Sequence, residues 1–303
     1  QLAKRCDCPL VHTYHTMWED CTRYVCPSER LGKAAVEYFT RVVAGHCYAI
    51  LAPTGKIRAL LESYGVECKV FTVPTGIDLG EFQPWQDGGA ARAELRSQLG
   101  IPAEAPVMLS LGRLAAEKNH GELLQLLAEW PEEERPWLVF VGDGPVRTEL
   151  EAETIRLGLT ERVRFAGMVS PQEVPRWYQV GDVFVSASRS ETQGLTYFEA
   201  MACGLPAICR ADPCLEGVIE NGINGWQWEE SSTFRQGFED VMANHSDYAG
   251  KAEEKAAHYS SKNFARQALE VYQQAVDAPR PQKDRVLPDV AKAISELVEY
   301  LSQ

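Results

Sequence analysis

Between residues 107 and 211, short runs of apolar residues alternate with stretches whose apolar positions recur three and four apart. The runs VMLSLG (107–112), WLVFVGDGP (137–145), RVRFAGMV (162–169), DVFVSAS (182–188) and PAICRA (206–211) predict five strands. Helices are predicted near 119–130 and 146–157, a short one in PQEVPRWYQ (171–179), and another in LTYFEAMAC (195–203). Strands apolar on both faces with a helix after each make a doubly wound parallel sheet, which takes its ligand at the carboxyl ends of the strands.

The first 78 residues repeat this alternation but start part-way through it. CPLVHTYHT, CYAILAP and CKVFTVPTGID predict strands, while SERLGKAAVEYFTRVVAGH and TGKIRALLESYG predict helices. This reads as the second part of another α/β domain, with no first strand and turn ahead of it. Residues 79–105, rich in Gly and Pro, read as the linker to a second domain spanning 79–260. Residues 261–303 read as C-terminal helices, the last over 288–301 with an apolar stripe of Val290, Ile294, Leu297 and Leu301 that suits docking on a core or on another chain.

Composition narrows the function classes. A net charge of -13 excludes a general nucleic-acid binder, which needs a dense Lys/Arg surface. Residues 1–60 carry eight Lys/Arg against five Asp/Glu, a mildly basic stretch able to face anionic lipid. The helical stretch 30–43, with Arg30, Lys33 and Arg41 beside Leu31, Phe39, Val42 and Val43, fits either an interfacial membrane element or packing against the sheet; Glu37 interrupts its basic side. The nine cysteines are odd in number and several lie within apolar runs, as reduced thiols of a cytoplasmic protein do. Cys6, Cys8, Cys21 and Cys26 lack the paired spacing of a zinc knuckle. No run reaches transmembrane length and no signal peptide opens the sequence, so any membrane contact is expected to be peripheral, at the cytoplasmic face.

The candidate chemistry lies after the strands. In ETQGLTYFEAMACGLP (191–206), Glu191 and Glu199 stand eight apart around Gly194, at the turn from strand to helix. The amides of Gly194, Leu195 and Thr196 open that helix and favour an anionic phosphate. Carboxylates beside a phosphate repel it, so the two glutamates are better suited to accept hydrogen bonds from sugar hydroxyls on either side of a diphosphate. After the strand 107–112, Arg113 and Lys118 supply a forked and a mobile cation for that diphosphate, and no Asp-x-Asp pair or His/Glu cluster suggests a metal. VGDGP (141–145) departs from the dinucleotide fingerprint and reads as a tight turn.

Taken in order, GRLAAEK, VGDGP, FAGMVS, ETQGLTYFEAMACGLP and VIENGINGW resemble the nucleotide-sugar domain of retaining family 4 glycosyltransferases of the GT-B fold, for which Glu191-x7-Glu199 matches the hallmark. HTYHTMWED (12–20) and VPTGIDLGEF (73–82) resemble the second half of their acceptor domain, especially in the branch that glycosylates diacylglycerol. The resemblance implies two Rossmann-like domains, the first incomplete at its N-terminus. It implies a hexose, glucose foremost, moved from a UDP-sugar to a lipid acceptor with no cofactor and no metal. It assigns Arg113 and Lys118 to the diphosphate, Glu199 to the ribose, and Glu191 with the amides of Gly194 and Leu195 to the transferred sugar. His15 is assigned to the reaction centre, and Trp18, Glu19 and Asp20 to the acceptor path. Two alternatives stay open: a soluble acceptor, and a non-catalytic nucleotide-sugar-binding fragment whose N-terminal half is supplied separately.

Overall fold

A computed structural model describes residues 3, 6–22, 28–84 and 89–279. The expected last helix over 288–301, with its apolar stripe, lies outside the described residues, as does Cys26. Two compact units are present, one from residues 1–75 joined by those from Lys262 onward, the other from Gly76 to Ser261.

The first unit holds a three-stranded parallel sheet of β1 (Val11–Thr13), β2 (Ala49–Ala52) and β3 (Lys69–Thr72), in that order. Helices α1 (Trp18–Cys21), α2 (Glu29–Ala44) and α3 (Gly55–Ser63) connect them. Ser28 and Thr54 start the two longer helices, their hydroxyls accepting the amides of Leu31 and Ile57. Strand β2 is wholly buried because both its faces are covered. One face meets Tyr14, Ile57, Leu61 and Tyr64; the other meets Ala268 and Val271 of the late helix Ser261–Asp277. Thus the helix after residue 261 is part of the first unit's core rather than a separate C-terminal element.

The second unit begins with α4 (Ala90–Gln98) and continues through β4 (Val107–Leu111), α5 (His120–Ala128), β5 (Trp137–Val141), α6 (Arg147–Arg156), β6 (Val163–Gly167), α7 (Val174–Tyr178), β7 (Val183–Ser186), α8 (Leu195–Ala202), β8 (Ala207–Arg210), β9 (Gly225–Trp228), α9 (Ser231–Ala243) and α10 (His245–Ala257). The remaining helix, Ser261–Asp277, is α11. The sheet is parallel throughout, in the order β6-β5-β4-β7-β8-β9. All five predicted strands form, each trimmed at its ends. A sixth, β9, comes from GWQW, too short and too interrupted by polar Gln227 to register as an apolar run.

The stretch read as a linker contains α4. Its Arg96 is 1% exposed, and its guanidinium donates to the carbonyls of Val180, Ala103 and Ala105 and to the carboxylate of Asp182. A polar sequence flanked by Gly and Pro hides such a helix, because what anchors it is a buried cation two of whose partners, Val180 and Asp182, lie 84 and 86 residues away.

Candidate donor site

Strand order turns back between β4 and β7: β5 and β6 lie to one side of β4, β7, β8 and β9 to the other. Two neighbouring parallel strands whose following connections run to opposite sides leave a crevice at their carboxyl ends. The register Met108↔Val183 and Leu109↔Phe184 brings the loop after β4 and the loop after β7 to that same edge.

The β4 loop is shaped by glycines in VGDGP. A side chain on Gly142 would come within 2.0 Å of the Gly112 carbonyl oxygen, and one on Gly144 within 2.3 Å of that of Leu114. The two turns are pressed backbone to backbone, with Gly112 donating to Val141 and Leu114 to Asp143. The expected tight turn therefore also clamps the residues on either side of Arg113. The Arg113 guanidinium projects outward, 57% exposed, and pairs with Glu117 four residues on. A turn of 3-10 helix, Ala116–Lys118, follows.

Lys118 donates from Nζ to Oε1 of Glu191 at 2.6 Å. Residues 73 apart are thus brought together, as the paired strands require. The Glu191 carboxylate is 11% exposed and the lysine 31%, so the pair sits at the mouth of the crevice rather than on open surface. Beyond it Gly194 takes a left-handed conformation, φ 76°, and starts α8. Its missing side chain leaves room for the Tyr197 ring, which a Cβ would approach to 2.3 Å. Tyr197 is anchored in turn through its hydroxyl to Ser186 Oγ at 2.9 Å. Leu195 and Thr196 are the first two residues of α8, whose opening amides have no carbonyl of the same helix to bond.

Glu199 is one turn further along α8, and its Oε2 accepts the hydroxyl of fully buried Tyr178 at 2.7 Å. Burial raises the Glu199 pKa, an effect the Tyr178 hydrogen bond partly offsets. Tyr178 was not among the sequence candidates. In PRWYQ it is one apolar-looking position of a short helix, and only the packing of α7 on α8 makes it the partner of Glu199.

His15 belongs to the first unit. It follows β1, its Nδ1 lies 3.3 Å from Thr75 Oγ1, and partial burial lowers its pKa. Trp18, Leu31, Phe39 and Val43, each between 41% and 52% exposed, line an apolar groove of about 450 Å³ together with His12 and Tyr14. The basic side of α2 is largely neutralised, Lys33 by Glu29 at 3.1 Å and Arg41 by Glu37 at 3.8 Å. Glu19 is taken up by the Tyr64 hydroxyl. Among the described residues no helix is long and apolar enough to cross a membrane, and no cluster of three metal-ligating side chains occurs. Eight of the cysteines are described and all are free thiols.

The sequence matches the family of glycosyl transferases group 1 over residues 91–262 and glycosyltransferase family 4 over residues 1–81. It is 33% identical over 305 residues to an alpha-monoglucosyldiacylglycerol synthase of Streptococcus pneumoniae, an alignment covering all of this chain and 69% of the relative. The chain is a group 1 glycosyltransferase. The glycosyltransferase is also 30% identical over 230 residues to an alpha-monoglucosyldiacylglycerol synthase of Acholeplasma laidlawii, covering 74% of this chain and 58% of that protein. A D-inositol 3-phosphate glycosyltransferase of Xylanimonas cellulosilytica is 34% identical over 232 residues, covering 74% of this chain and 55% of its own length. The chain is thus shorter than each of these relatives. Among solved structures, Anabaena Alr3699/HepE in complex with UDP and glucose superposes with a TM-score of 0.75 at 20% identity, over 89% of this chain and 73% of that one. Sucrose-phosphate synthase from Thermosynechococcus elongatus gives 0.71 at 24% identity, over 87% and 67%. At such identities the likeness shows the fold of this glycosyltransferase, α/β with Rossmann-like domains of the GT-B kind, as the sequence predicted.

Proposed function

We propose that this glycosyltransferase takes glucose from UDP-glucose and transfers it to a lipid acceptor such as diacylglycerol, with retention of anomeric configuration and without a metal. One juxtaposition carries the reading: at the strand switch, the Lys118 ammonium lies on the Glu191 carboxylate beside the open start of α8, with Glu199 in the same helix. A diphosphate is an anion that can draw Lys118 and Arg113 and accept the amides of Leu195 and Thr196. The carboxylates then serve hydroxyls, Glu199 those of the ribose and Glu191 those of the hexose. In the transfer step the bond from the anomeric carbon to the β-phosphate oxygen breaks and UDP leaves. The acceptor oxygen bonds the anomeric carbon from the same face, and its proton passes to the leaving phosphate. His15 is assigned to this step.

Glucose and a diacylglycerol acceptor are supported by the names of two relatives, and UDP by the ligands of the HepE structure. The apolar groove beside Trp18 and α2 suits a lipid acceptor and peripheral contact with the cytoplasmic membrane face. A soluble acceptor is the second reading, and the inositol-phosphate transferase relative favours it.

The donor site is tested by calorimetric titration with UDP in EDTA, beside Arg113→Ala and Glu199→Ala. Binding that each substitution weakens about tenfold or more supports the assignment; binding indifferent to both refutes it. The acceptor is tested by transfer of labelled glucose to diacylglycerol vesicles against inositol 3-phosphate in the same buffer. Product in the soluble fraction alone would overturn the lipid reading.

A further inference from the structure

Glu122, on the first turn of α5, has no part in the donor chemistry assigned above, yet three loops meet on its carboxylate. Oε2 accepts the Asn119 side-chain amide and Arg189 Nη2, the latter at 3.3 Å, while Oε1 accepts Arg210 Nη1. Each donor sits beside the site. Asn119 directly follows Lys118 and also reaches the carbonyl of Ala187 at 3.4 Å, just past the end of β7. Arg189 stands two residues before Glu191 in the next loop, and Arg210 ends β8. The carboxylate is only 19% exposed and the Arg210 side chain 22%. An ion pair so far withdrawn from water is screened less than one on the surface and holds its geometry more firmly.

The charge arithmetic matters as much as the geometry. Two guanidiniums face one carboxylate here. Without it, Arg189 would be left two residues from Glu191, the nearest carboxylate by sequence, and would compete with Lys118 for it. Glu122 both ties the loops together and keeps those two cations occupied.

Resting on the donor-site reading above, we infer that Glu122 is a positioning residue: by gathering Asn119, Arg189 and Arg210 it holds the loops that carry Lys118 and Glu191 at the separation where those two groups meet. Small errors at such a site are costly, since binding groups must be held to about half an ångström.

The experiment is calorimetric titration of the chain with UDP-glucose, with Glu122→Gln made in two backgrounds, unmodified and Lys118→Met. Glutamine keeps size and one acceptor oxygen but removes the charge. In the unmodified background binding should weaken roughly tenfold. In the Lys118→Met background it should weaken less than twofold, because no pair remains to be positioned; coupled residues are non-additive in this way. Glu122→Asp, which keeps the charge, should recover part of the loss. Should Glu122→Gln not fold, Arg189→Met removes a single donor from a side chain 61% exposed, and a two- to threefold weakening confined to the Lys118 background is expected. Equal weakening in both backgrounds, or none in either, overturns the positioning role while leaving the donor site standing. Failure of the unmodified, folded chain to bind UDP-glucose overturns the donor reading and this inference together.

Discussion

Removing Asp182 tests the packing that turns an apparent linker into part of the second unit. Asp182 lies just before β7, and its carboxylate accepts Arg92, Arg96 at 2.9 Å and the Val107 amide at 2.7 Å. Arg96 is almost fully enclosed, and burial pulls its pKa down against the opposing field of Asp182. In Asp182→Ala the guanidinium keeps three carbonyls but loses its only counter-charge among these contacts, and the Val107 amide loses its acceptor. Breaking a buried pair from one side costs about 3–5 kcal/mol, because the surviving charge stays desolvated. With an m-value of roughly 2 kcal/mol per molar urea, the midpoint of the second unit's unfolding should drop by roughly 1.5–2.5 M. Tryptophan fluorescence follows the transition. Replacing both partners by apolar residues of similar size, Arg96→Met with Asp182→Leu, should recover at least half of the loss, since neither charge is then buried. A drop below about 0.5 M in Asp182→Ala would refute the argument, showing that water reaches Arg96 and that α4 is a surface attachment.

Three further outcomes follow from the site. Gly194→Ala puts a Cβ against the Tyr197 ring in a left-handed backbone, so it should destabilise by about 2–4 kcal/mol in the same urea assay and reduce UDP binding; an unchanged midpoint would mean that α8 starts differently. Glu199 must be ionised to serve hydroxyl groups well and its pKa is raised, so UDP affinity should fall as pH drops through that raised value, and Glu199→Gln should be about tenfold weaker and insensitive to pH there. Burial lowers the pKa of His120, packed edge-on to Phe140, to about 4. Between there and the ordinary value near 6.5 only the unfolded chain holds the proton, so the stability contributed is full above about 6.5 and is lost as pH falls toward 4, at most about 1.4 kcal/mol per pH unit. His120→Leu should remove that slope, read as the difference between the two proteins' urea midpoints from pH 7 to pH 4.5.

How much of this could be read along the chain depends on how far apart the partners are. Strand β5 was legible because burial on both faces demands an unbroken apolar run, and WLVFV is one. The turn that carries the candidate site was legible too: a glycine at 194, between a strand and a helix, with carboxylates at 191 and 199, already marks the carboxyl end of a strand. Chain order could not say which loops share that edge. The meeting of Lys118 with Glu191, of Tyr178 with Glu199, and of Arg210 with Glu122 depends on β4 pairing with β7 and on how helices settle on the sheet. Helix α4 was hidden for the same reason, its polar text anchored by a buried arginine that reaches Val180 and Asp182 far along the chain. Local pattern sets which residues are apolar and where the backbone can turn, because those are properties of neighbours. Ion pairs and hydrogen bonds across loops and helices join residues 21 to 88 positions apart here, and only the tertiary structure decides which of the many candidate polar groups will meet.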